Sequence, residues 1–169
     1  MNRRWLAACL AMAVSATGWA DPQPGRAFPA FAVNDLAGQR HTERDLQGRW
    51  SVVLAITDKD AAGAVTAWHQ ALEGRVPGHA RVLYFTALDI FPLVSTSTIV
   101  SRARARTPQN RWDVTWLSRD GAFAEQMGLP ESETPWAYVV DPAGRVVLAV
   151  HAMVSPPQVE RVLAAVGGP

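Results

Sequence analysis

Residues 134–150 read Thr134-Pro135-Trp136-Ala137-Tyr138-Val139-Val140-Asp141-Pro142-Ala143-Gly144-Arg145-Val146-Val147-Leu148-Ala149-Val150. Two short apolar runs, rich in β-branched and aromatic residues, flank Asp141-Pro142-Ala143-Gly144. In that tetrad proline presets φ and glycine supplies a conformation that other residues resist. The stretch therefore predicts a β-hairpin with strands over 136–140 and 146–150. Downstream, Pro156 opens a closing helix through 166, with Val159, Val162, Leu163 and Val166 on one side.

Upstream, Val52-Val53-Leu54-Ala55-Ile56 is a continuous apolar run, the pattern of a parallel strand covered on both faces, here over 51–57. A helix follows it, with Asp60 as N-cap and Ala61, Val65, Trp68 and Leu72 recurring on one face. A second buried strand spans 80–88 and carries Val82-Leu83-Tyr84-Phe85. Pro92 then opens a helix through 106 that ends in arginines, as the helix dipole favours. A short strand over 114–117 and a short helix over 121–127, stopped by Gly128, complete the middle of the chain. Phe31 to Val33, a turn over 35–38 and the segment around His41 form an N-terminal hairpin. Apolar strands alternating with helical patterns predict an α/β layered domain.

The chain has 169 residues. Its first 20 combine Arg3 and Arg4, an apolar stretch from Trp5 and Gly18-Trp19-Ala20 before Asp21, the layout of a secretory signal. The apolar part is roughly a dozen residues, too short to span a bilayer. Leu6-Ala7-Ala8-Cys9 matches a lipoprotein cleavage box, but only Met1 to Trp5 precede it, which argues against lipid attachment at Cys9. The expectation is export to a bacterial periplasm, then a single domain over 21–169, long enough to fold without disulfides or structural metal. Loss of Arg3 and Arg4 takes the formal charge from +1 to −1, which excludes a strongly basic nucleic-acid binder. Cys9, the one cysteine, leaves with the signal, and thiol chemistry leaves with it.

The order of elements resembles the thioredoxin fold with a peroxiredoxin-like N-terminal extension. Gly25-Arg26-Ala27-Phe28-Pro29-Ala30-Phe31, Asp35-Leu36-Ala37-Gly38 and Asp45-Leu46-Gln47-Gly48-Arg49 look like the opening of the alkyl hydroperoxide reductase and thiol-specific antioxidant superfamily. Leu117-Ser118-Arg119-Asp120-Gly121 and Thr134-Pro135-Trp136 are similar to its later strand-to-helix and cis-proline segments. The resemblance covers 25–166 and implies a three-layer α/β/α sandwich with a central mixed sheet and an N-terminal β-hairpin extension. It also implies a reactive-cysteine site, and there the chain departs. Aligned on Val52-Val53-Leu54, the CxxC positions are Ala61-Ala62-Gly63-Ala64. Aligned on the peroxiredoxin pattern, the cysteine position is Val65. Neither register provides a nucleophile for the helix N-terminus to activate.

Other constellations read as structural. Asp60 and His69 are about 13 Å apart along a helix, so one metal ion cannot easily take both, and Asp58 and Asp89 read as cap and loop residues. His41, His79 and His151 lack ligand spacing. Ser95-Thr96-Ser97-Thr98 reads as a polar helix face, and Arg102, Arg104, Arg106 and Arg111 as a diffuse basic helix end. Trp112, Val114 and Trp116 share a face if extended. The resemblance implies that the segment around a cis Pro135 lies beside the emptied helix start. Ala61, Ala64, Thr134, Pro135 and Trp136 would then line an apolar groove that binds a protein or peptide by strand addition without reacting. No cofactor or metal is expected, and the sequence leaves the oligomeric state open. An enzyme with non-thiol metal or cofactor chemistry on the same scaffold is the alternative.

Overall fold

A computed structural model describes residues 22–89, 93–118 and 121–167, the side chain of Ala122 excepted. The strands are β1 (Ala32–Asp35), β2 (Arg40–Thr42), β3 (Trp50–Ile56), β4 (Ala80–Ala87), β5 (Thr115–Ser118), β6 (Trp136–Val140) and β7 (Val146–His151). The helices are α1 (Ala62–Leu72), α2 (Thr96–Arg106), α3 (Ala122–Gln126) and α4 (Pro156–Ala165). The strands form one mixed sheet in the order β2-β1-β5-β4-β3-β6-β7. β3, β4 and β5 are parallel, and the remaining pairs antiparallel.

The uninterrupted apolar run of β3 follows from its place inside this sheet. Val53 and Ala55 enter one core, Val52 and Leu54 the other. β6 alternates in the same way, with Trp136, Tyr138 and Val140 on one face and Ala137 and Val139 on the opposite one. The first core is aromatic. Phe28 and Phe31, from the segment before β1, pack edge-on against Phe85 or Tyr138, and Phe85 stacks on Phe123 at 5.0 Å. The second core lies under α1 and α4 and is built on Trp68, Leu72, Val159 and Val162.

The architecture is the α/β mixed-sheet domain expected, but several local expectations need correction. The helix at 60–72 does not use Asp60 as its cap. β3 passes into a single 3-10 turn, Lys59–Ala61, capped by Asp58, whose carboxylate accepts the Asp60 N–H at 2.8 Å, and α1 begins only at Ala62. The turn moves the orphan N–H groups two residues back, so the useful carboxylate is Asp58. The second helix, α2, starts at Thr96, where the Ser95 hydroxyl accepts the Thr98 N–H at 3.2 Å; Pro92 lies outside the described residues. Trp112 and Val114 are not extended. A 3-10 turn over Gln109–Arg111 precedes them, so only Trp116 belongs to β5. Residues 1–20, where a secretory signal is expected, also lie outside the described residues.

Pro135 differs most from expectation. There is no cis peptide bond among the described residues, so Thr134–Pro135 is trans. The chain reverses into β6 without one because Ser132 turns it, its hydroxyl accepting the Thr134 N–H at 3.0 Å.

Candidate functional site

The end of β3 and the segment before β6 meet at one edge of the molecule. Thr57, nearly buried just past β3, donates its hydroxyl to the Pro130 carbonyl at 2.8 Å and accepts the Ser132 N–H at 3.0 Å. This double bond-holder fixes residues 130–134 beside the 3-10 turn that leads into α1. The carboxylates of Asp58, Asp60 and Glu133 consequently come together, offering oxygens within 4.8 Å of one another. That cluster is exposed or half-buried. Lys59 bonds Asp60 at 3.0 Å, and that bond and charge hold the ammonium pKa above its ordinary value.

Thr57→Val is expected to leave the Pro130 carbonyl and the Ser132 N–H unpaired, at a cost of about 2 kcal/mol. Chemical denaturation reads that loss, and hydrogen exchange at the Ser132 amide should accelerate with it.

Beside this junction lies a cleft of about 780 Å³ at the carboxyl ends of β3 and β4, lined by Thr57 to Lys59, Ala87 to Asp89, and residues of α3 and the following loop. Asp58, Asp89, Glu125 and Glu131 give its described lining an acidic cast. Gly121 approaches Asp89 so closely, at φ +66°, that a side chain there would press on the Asp89 Cβ.

The expected groove residues are differently exposed. Thr134 is half-buried, whereas Ala61, Ala64, Pro135 and Trp136 are buried. Ala62 and Gly63 present the start of α1 to solvent. Trp136 is covered by His151, its register partner on β7: the rings lie parallel, centroids 4.0 Å apart. The His151 Nε2 donates to the Thr134 carbonyl at 3.1 Å and lies 3.1 Å from the Ser132 hydroxyl. No local pattern in the sequence marks Thr57, Ser132 or His151 as site residues, because their contacts are long-range. A hairpin counted regularly from the Val140–Val146 pair sets Val150 opposite Trp136. A bulge at Val139/Val140 shifts the register by one and brings His151 there instead.

The other candidates scatter. His69 faces Tyr84 across α1 and β4, its Nδ1 2.5 Å from the phenolic oxygen, and burial, with Arg111 adding to it, lowers its pKa. His41 stacks on Trp116 and bonds buried Asp35. Arg104 turns inward to the Leu36 carbonyl and the Trp112 ring, which leaves Arg102 and Arg106 exposed on α2. Ser95 serves as a helix cap. No helix among the described residues is long and apolar enough to cross a membrane.

No protein-family model matches the chain, and no curated protein matches it. Solved structures do. The exposed lipoprotein thioredoxin of Streptococcus pneumoniae is 12% identical, with 79% of this chain and 97% of that one covered at a TM-score of 0.58. A thiol peroxidase from Chromobacterium violaceum is 14% identical, covering 85% and 86% at 0.59. A thio-disulfide isomerase from Thermus thermophilus is 17% identical, covering 87% and 99% at 0.59. The fold is thioredoxin-like, and the chain carries a single cysteine, Cys9.

Proposed function

We propose that this thioredoxin-like chain is an exported binding protein that performs no thiol chemistry and recognises a protein or peptide segment where α1 begins beside residues 131–136. The observation that carries the reading is the lack of cysteine beyond Cys9: the two registers that the resemblance implies for a reactive cysteine place Ala61 and Ala64, or Val65, there. A helix start that lacks a thiolate to stabilise still presents N–H groups and an adjacent loop, which can hold an extended chain. Residues 1–20 act as the export signal, and protein from the periplasmic fraction should begin at Asp21 on N-terminal sequencing.

The test is capture from envelope extract by the protein and by Gly63→Arg. Gly63 is exposed, with open space where its side chain would project, so the substitution blocks the surface without a clash. A partner retained by the protein and lost with Gly63→Arg supports the reading. Equal recovery by both overturns it.

A further inference from the structure

We infer that the strand-pairing position at Thr134 is closed in the free protein by Ser132 and His151, and that its occupant is an extended basic peptide that displaces them. The inference rests on the binding reading above and adds to it a latch and a partner chemistry.

A peptide adding alongside residue 134 needs that residue's N–H and C=O. Both are already taken. The Thr134 N–H goes to the Ser132 hydroxyl at 3.0 Å, and its carbonyl takes the His151 Nε2–H at 3.1 Å. Ser132 Oγ and His151 Nε2 are themselves 3.1 Å apart, so the two side chains close a small ring over the backbone. They substitute for a partner strand. The same imidazole lies flat on Trp136 and leaves that indole only 4% exposed. One rotation of His151 would therefore free a backbone acceptor and an aromatic face together.

The latch is displaceable because of where it sits. His151 is exposed and Ser132 half-buried, so both can exchange into water, and the bonds they make are to neutral groups. An incoming strand replaces those bonds in kind. Charge selects which strand. Asp58, Asp60 and Glu133 crowd their carboxylates together next to Thr134, Glu131 lies in the same loop, and Lys59 offsets one of them through Asp60. Lysine or arginine side chains alternating with apolar ones would meet the carboxylates on one side and Trp136 on the other.

The probe is a short, end-blocked peptide alternating lysine and valine, with a glutamate–valine peptide as control, titrated by calorimetry at low salt. His151→Phe keeps a ring over Trp136 and removes the donor to Thr134. Ser132→Ala frees the Thr134 N–H. The double variant is expected to bind the lysine peptide about tenfold more tightly than the unaltered protein, the cost of two hydrogen bonds, one part-buried and one exposed, that no longer need breaking. Ser132→Ala alone should gain about threefold and speed hydrogen exchange at the Thr134 amide, which covers the case in which the double variant does not fold. Equal affinity of the unaltered protein and the variants overturns the latch and leaves the binding reading standing. Preference for the glutamate peptide overturns the basic occupant. If no form binds either peptide, the binding reading fails at this surface and the inference fails with it.

Discussion

Trp68→Ala is expected to lower the free energy of unfolding by about 4 kcal/mol, a large share of what a domain of this size possesses. Trp68 is fully buried at the centre of the core beneath α1 and α4, and alanine would leave a cavity that Val52, Leu54 and Val159 cannot close without moving. The indole N–H also donates to the Ala152 carbonyl at 3.1 Å, directly after His151 at the end of β7. Trp68 thus anchors from below the strand end that carries the Thr134 latch. Trp68→Phe keeps most of the volume and should cost about 1.5 kcal/mol, chiefly the lost hydrogen bond. Denaturant titration separates the two variants by their midpoints. A loss under 1 kcal/mol for the alanine variant would mean that this core is not closed as described.

Asp35→Ala should cost about 3 kcal/mol, because it removes one charge and disconnects three groups. Asp35 is 3% exposed at the end of β1. Its Oδ1 accepts the N–H groups of Gly38 and Gln39 at 2.7 and 2.8 Å, which shapes the turn into β2, and its Oδ2 holds His41 Nε2 at 3.0 Å. His41 in turn lies flat on Trp116, so this one carboxylate couples the hairpin to the aromatic core. Asp35→Asn can still accept both turn N–H groups and should cost roughly a third as much. Equal losses for the two substitutions would show that the charge, and not the turn, carries the effect. Thermal melts of the pair decide it.

The contrast between what was readable in the sequence and what was not follows range of interaction. The 134–150 hairpin, the apolar run of β3 and the closing helix are encoded by local turn chemistry and periodicity, and the structure contains them where those signals lie. The N-cap was displaced from Asp60 to Asp58 by a 3-10 turn that no local pattern announces. The shared face of Trp112 and Trp116 disappeared because the chain stays in turns through Val114, where the Thr115 hydroxyl reaches back to the Arg111 carbonyl. At the site, Pro135 stood out as a residue type but its peptide bond is trans, since Ser132 supplies the turn by a side-chain hydrogen bond. Thr57 meets Pro130 and Ser132 across more than seventy positions of sequence, and His151 reaches Trp136 only through a bulge. Such contacts are set by packing, and a single sequence carries no local mark of them. That Cys9 is the one cysteine is legible at once, and the proposed binding role rests on it.

Turnover of peroxide and of a model disulfide, supplied with a dithiol reductant, measures that most directly in the protein and its Cys9→Ser form. Both are predicted to run at the protein-free rate. Turnover that rises with protein concentration, above all turnover that survives Cys9→Ser, would contradict a site that binds without reacting.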